Sequence, residues 1–158
     1  MTALLTVLVG FPASGKSHYR AELLASNPNS IVVSSDDYID MKASEAGITY
    51  SEAFPIWAAE AQKVAYSTAS DAFASGKDVI WDQTNLTIAK RQKITDMAPS
   101  TYTKTCVYIS CPRDVRNMRM AERIGKNIPD KVIDQMERHF EHPDPIEGFD
   151  YITAFESL

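Results

Sequence analysis

Residues Gly10–Ser17 read Gly-Phe-Pro-Ala-Ser-Gly-Lys-Ser and fit G-x-x-x-x-G-K-[ST], the pattern of a phosphate-binding loop. Each residue type has a chemical reason. Gly10 and Gly15 reach backbone angles that a residue with a Cβ resists. The loop, with Pro12, Ala13, Ser14 and the following His18, can then turn its N–H groups onto phosphate oxygens at a helix N-terminus, whose dipole also favours an anion. Lys16 is placed to reach β- and γ-phosphates, and the Ser17 hydroxyl to meet Mg²⁺. The expected cofactors are ATP or another nucleoside triphosphate, and Mg²⁺. The competing reading is a chance glycine turn, and the apolar run before the loop and the helical pattern after it count against that. What receives the phosphate is not written in this loop.

Three other constellations carry chemistry. Asp36 follows an apolar run, and a carboxylate there can orient an acceptor hydroxyl and take its proton. A capping or turn aspartate is the plainer alternative. Asp82 follows another buried run, within Asp82-Gln83-Thr84-Asn85. It is a candidate to hold Mg²⁺ or its water, with a turn role equally open, and Thr84 and Asn85 could instead cap the next helix. Arg116, Arg119 and Arg123 share one helix face at i, i+3 and i+7, with Arg113 before them and Lys126 beyond. They read as a phosphate clamp on a small lid around residues 119–129, with Arg119 and Arg123 the members that act on the phosphoryl group. The alternative is a solvated face paired with Glu122 and Asp114.

These residues need elements to hold them. Strands are expected at Leu4–Val9, Ile31–Ser35, Asp78–Trp81, Thr103–Ser110 and Tyr151–Phe155. Helices are expected at about Lys16–Ala25, Ser51–Ala74, Ile88–Met97, Asp114–Arg123 and Asp130–His142, with Phe54, Trp57, Ala61, Val64 and Ala65 on the inner face of the longest. Met41–Thr49 reads as a polar connection. Strands alternating with helices imply an α/β fold of three layers around a parallel sheet of about five strands. In such sheets ligands bind outside the carboxyl ends of the strands, where Gly10, Asp36 and Asp82 fall.

With 158 residues, 44% hydrophobic and 23% charged, the chain reads as one domain, 1–158. No apolar run reaches the roughly 20 residues of a membrane span. Met1–Val9 reads as strand and not as a leader. Two cysteines, Cys106 and Cys111, imply no disulfide framework, and a reducing cytoplasm is the expected location. A net charge of −5 argues against a general nucleic-acid coat, though not against a local basic groove.

Taken together, the Gly10–Ser17 loop, Asp36-Asp37-Tyr38, Asp82-x-Thr84-Asn85 with Arg91, the arginine helix and the closing Pro-x-x-Glu-Gly-Phe resemble the kinase domain of polynucleotide 5′-hydroxyl kinases of phage and animal types. The resemblance implies an adenylate-kinase-like P-loop fold with a lid. It implies that Asp36 activates the acceptor hydroxyl, that Asp82, Thr84, Asn85 and Arg91 belong to the acceptor side, and that Arg123 approaches the transferring phosphate. A phage-encoded protein acting in the host cytoplasm fits it. Three features depart from that family. Ala13 stands where its loop has glycine, Ile39 where the phage enzyme has an acceptor-gripping arginine (Lys42 is a candidate replacement), and no phosphatase domain is present.

The expected activity is ATP-dependent transfer to an alcohol, with the 5′-hydroxyl of a DNA or RNA strand as leading acceptor. A hydroxymethylated pyrimidine base within DNA, such as 5-hydroxymethyluracil, is the alternative, together with a nucleoside or small metabolite. A non-catalytic ATP-binding module is the rival from outside enzymology. The sequence is silent on oligomeric state and on a partner phosphatase or ligase.

Overall fold

The computed structural model describes residues 2–157, so Met1 and Leu158, which the N-terminal reading and the domain limits included, lie outside the described residues. Five strands, β1 (Leu4–Val9), β2 (Ile31–Val33), β3 (Val79–Asp82), β4 (Thr103–Ser110) and β5 (Tyr151–Glu156), form one sheet in the order β2-β3-β1-β4-β5. Every pairing is parallel. The α-helices are α1 (Lys16–Ser26), α2 (Ser35–Ala46), α3 (Tyr50–Ala74), α4 (Ile88–Met97), α5 (Arg113–Ala121) and α6 (Asp130–His139).

Side chains alternate across a strand, so a sheet covered on both faces must be apolar at every position. The three central strands follow this where they are buried on both faces, with polar residues such as Lys104 and Ser110 towards the ends of β4. Leu5, Val7, Val9, Val79, Trp81 and Cys106 enter one core with Ala65, Ala69 and Phe73 of α3 and Ile94 of α4. Leu8, Ile80, Val107 and Ile109 enter the other, against Tyr19, Leu23 and Leu24 of α1. These are the expected three layers.

One expected connection is a helix. The polar stretch after Ile31–Val33 folds as α2, capped by Ser34, whose Oγ accepts the Asp37 N–H at 3.2 Å, and ended by Gly47 at φ 68°. Its pattern is sparse, because only Ile39 and Ala43 are buried. They pack with Ala53 and Ala61 of α3, so the helix owes its existence to that partner. The second strand ends two residues early for the same reason. Asp36 and Asp37 accordingly stand in the first turn of a helix, where its dipole favours carboxylates. On α3, Phe54 is not on the inner face but 49% exposed.

Candidate active site

The carboxyl ends of β1, β2 and β3 open into a cavity of about 940 Å³, whose lining includes Lys16, Asp36, Asp82, Thr84, Arg119 and Arg123. Its floor is the Gly10–Ser17 loop. Gly15 sits at φ 109° as the residue that turns the chain into α1. A Cβ on Gly10 would stand 2.9 Å from the Ile109 carbonyl, so that glycine lets the loop lie against β4. The N-terminus of α1 has no side-chain cap and no acidic residue in its first turn. Its N–H groups and dipole therefore suit an anion such as a polyphosphate. Pro12, Ala13, Ser17 and His18 also line the cavity, His18 lying 3.2 Å from Glu22. The reading of Gly10 and Ser14 as ligand contacts is corrected. The Gly10 N–H donates to the Thr84 carbonyl at 3.1 Å, the Ser14 N–H to the Phe11 carbonyl at 3.1 Å, and Ser14 is 1% exposed beneath the loop.

Lys16 Nζ donates to the carbonyls of Gly10 and Phe11 at 2.9 and 3.0 Å. Burial pulls its pKa down to about 8; Asp82 and Asp36 oppose that, while Arg123 and Lys126 add to it. The ammonium is held back on its own loop and is under-compensated there. An incoming phosphate would supply the missing negative charge.

Asp36 accepts from the Tyr50 hydroxyl on one oxygen and from Lys126 Nζ on the other, at 3.2 Å. Lys126 also lies over the Tyr50 ring, 4.1 Å from its centroid. The loop carrying it is stitched to α3 by the Ser51 N–H donating to the Gly125 carbonyl (3.0 Å) and the Asn127 N–H donating to Ser51 Oγ (2.9 Å). Burial, and then the Asp36 hydrogen bond, push the Tyr50 hydroxyl well above its usual range. Asp40, one helical turn on, lines the same cavity with its carboxyl raised, chiefly by burial.

Asp82 is nearly buried and pairs with Arg20 at 3.0 Å. Arg20 also holds Asp37 through two bonds, at 2.7 and 3.1 Å. Burial pushes the Asp82 carboxyl up, against the pull of Lys16 and Arg20. Arg20 escaped the sequence reading. Its signal was its place at i+4 from Lys16, on the face of α1 that meets the loop.

The arginines divide. Arg119 donates to the Ala13 carbonyl at 3.1 Å and to Ser157 Oγ at 3.2 Å, and with Arg123 it lines the cavity. Arg116 is buried, donating to the Cys111 carbonyl and to Glu137, with its guanidinium 4.5 Å from the Phe11 ring centroid. Arg113 pairs with Asp134 and Glu137 of α6, not with Asp114 or Glu122.

Two acceptor-side expectations are corrected. Arg91 is 0% exposed and cannot reach the cavity. Its guanidinium is taken by Glu147 and by the carbonyls of Asn85 and Glu141. Asn85 is also 0% exposed, at φ 50°, and donates from Nδ2 to the Leu8 carbonyl at 2.8 Å. Both residues brace the turn after β3 against β1, and thereby the phosphate loop. Lys42 does not replace the missing arginine either, since it faces Glu45 and the Tyr38 ring, and Ile39 is core. Tyr50, Phe54, Gln62 and Lys90 are further cavity residues that the sequence reading did not place there.

Residues 5–143 match the AAA domain family. No curated protein matches the chain in sequence. Among solved structures, a protein from Chloroflexus aurantiacus provisionally named a kinase superposes with a TM-score of 0.72 at 21% identity, over 99% of this chain and 89% of that one. A chain of the Pnkp1/Rnl/Hen1 RNA repair complex superposes with a TM-score of 0.69 at 21% identity, over 87% of this chain and 44% of that one. A gluconokinase from Sinorhizobium meliloti gives a TM-score of 0.58 at 18% identity, over 98% and 83%. At these identities the likeness is one of fold. The chain belongs to the AAA domain family and has the α/β P-loop kinase fold, with a phosphate-binding loop, a carboxylate-bearing helix and two arginines, Arg119 and Arg123, around one cavity.

Proposed function

We propose that this protein is an ATP-dependent kinase acting on an alcohol hydroxyl, most specifically the 5′-hydroxyl of a DNA or RNA strand. One observation carries the reading: Lys16, Asp36, Arg119 and Arg123 line a single cavity, so a phosphate cradle, a carboxylate and guanidinium charge share one space. A nucleotide-dependent switch has no need of the last two.

Bound Mg·ATP would supply the phosphoryl group, with the metal neutralising charge on the phosphates. The residues that fit it are the α1 N-terminus and Lys16 for phosphate, and the Ser17 hydroxyl and Asp82 for the cation. Asp82 would hold the cation, directly or through water, with the oxygen that Arg20 leaves open. Asp36 holds the acceptor hydroxyl and takes its proton as the new O–P bond forms and the nucleoside diphosphate leaves. Lys126 must first release Asp36, which ties acceptor entry to lid movement. Arg119 and Arg123 then face the charge on the phosphoryl group in flight.

A second acceptor, a hydroxymethyl group on a pyrimidine within DNA, is favoured by a specific observation. At the position where the phage polynucleotide kinase that the chain resembles has an acceptor-gripping arginine stands Ile39, 1% exposed and packed on α3. A terminal nucleotide would lose that grip. The test is γ-labelled ATP with a 5′-hydroxyl oligonucleotide and, separately, an end-blocked duplex carrying 5-hydroxymethyluracil. Label on the first supports end-directed transfer, and label on the second alone supports the modified base. Label reaching only sugars or sugar acids would move the acceptor towards the chemistry that the name gluconokinase describes.

A further inference from the structure

Tyr50, Phe54 and Gln62 lie at i, i+4 and i+12 on α3, and all three line the cavity. Spacing by multiples of four sets them along one ridge, with the small Ala58 midway between Phe54 and Gln62. Phe54 and Gln62 are thus separated by about 12 Å along the helix axis and face one cavity, so a flat ring lying against Phe54 can turn an edge towards Gln62. Half of Phe54 is open, presenting a π-face.

The orientation of the Gln62 amide follows from a chain of obligatory donors. The indole Nε1–H of Trp81, a 1% exposed residue, can only donate. It donates to Gln83 Oε1 at 3.2 Å. The Gln83 amide is thereby turned, and its Nε2 donates to Ser35 Oγ at 3.0 Å and to Gln62 Oε1 at 2.9 Å. Gln62 has to accept with its oxygen, which leaves Nε2 as its free end. That Nε2 has no hydrogen-bond partner among the described residues. A donor-only group in the core therefore sets the polarity of an amide in the cavity wall, two side chains away.

We infer that Gln62 is a specificity residue of the acceptor subsite, donating from Nε2 to a keto oxygen on the edge of a base whose face lies against Phe54. The inference rests on the kinase reading above and names what the acceptor carries beside its hydroxyl. A base with a keto edge is accepted. One with an amino group at that position meets donor against donor and leaves both unpaired, which is costly once water is excluded.

The experiment compares paired acceptors: oligonucleotides with 5′-terminal thymidine or cytidine, and end-blocked duplexes with 5-hydroxymethyluracil or 5-hydroxymethylcytosine. In the wild type the keto member of the productive pair should have a kcat/KM about tenfold higher. Gln62→Glu, which can only accept, should erase or invert that ratio. Gln83→Glu leaves Gln62 in place but offers it only an acceptor, so Gln62 must swing its NH₂ inward and present Oε1. It should shift the ratio in the same sense, and the double variant should not shift it by the sum of the two. In Gln62→Glu the acceptor ratio should change far more than KM for ATP, which a merely structural role would not predict. A ratio that is the same in all four proteins overturns the inference and leaves the kinase reading standing. Transfer only to alcohols without a base does the same. Absence of transfer to every acceptor overturns both.

Discussion

Arg91 and Glu147, 56 residues apart in the chain, meet as a two-pronged ion pair fully closed to solvent, with Nε–Oε1 2.6 Å and Nη2–Oε2 3.2 Å. Two further guanidinium N–H groups serve the carbonyls of Asn85 and Glu141. Through Asn85 the pair is tied to Leu8, at the end of the strand that delivers the phosphate loop.

Removing one partner leaves the other as an uncompensated buried charge. Arg91→Ala should destabilise the fold by about 3–5 kcal/mol, whereas replacing both residues, Arg91→Met with Glu147→Leu, should recover most of that loss. Urea denaturation of the three variants checks it. A loss under about 1 kcal/mol in Arg91→Ala would mean that water reaches the pair.

Asp36 is proposed to take the proton of the acceptor. Asp36→Asn keeps a hydrogen-bonding side chain of the same size but removes the base. Transfer should fall about 10²–10⁴-fold while nucleotide binding stays within a fewfold. Single-turnover transfer and equilibrium binding of a fluorescent ATP analogue separate the two. Equal loss of both would assign Asp36 to the nucleotide.

Lys16 predicts a pH dependence of nucleotide affinity. Burial lowers its pKa to about 8, and phosphate oxygens beside it would raise it again. The charged form binds the triphosphate, so below about pH 8 the affinity is flat with respect to this group. Above it, affinity should fall by up to tenfold per pH unit as the free site loses its proton, and binding should take up about one proton. Calorimetry at pH 8.5–9 in buffers of different ionisation enthalpy reads that uptake. Lys16→Arg, charged throughout, should abolish it.

Ala13 sits at φ 64°, a conformation that costs a residue with a Cβ about 1–2 kcal/mol. Ala13→Gly relieves this but frees the unfolded chain, so the expected net gain is about 0.5–1 kcal/mol. The Ala13 carbonyl, which receives Arg119, is retained, so ATP affinity should change less than twofold. Thermal melts with and without nucleotide decide it. A loss of stability would show that the Ala13 methyl makes a packing contact worth more than the strain.

Local chemistry determined much of this protein. The phosphate loop is legible because glycine, lysine and serine at that spacing have few other uses. The bounds of α4 and β4, Ile88–Met97 and Thr103–Ser110, are those read from the sequence, with Thr87 capping the start of α4 and Pro99 following its end. Asp36 and Asp82 fall at strand ends, and that placed them at the cavity. Tertiary structure decided what periodicity does not encode. The segment after β2 became a helix because Ile39 and Ala43 found α3, a stripe too thin to read by itself. Arg91 went into the core because Glu147 arrived there from the far end of the chain, and a guanidinium is tolerated inside only with such a partner. Lys126 met Asp36, and Gln62 met Gln83 and Trp81, only when separate elements packed together. Sequence spacing reports which residues share an element, whereas the charge balance and hydrogen-bond polarity of the cavity depend on which elements meet.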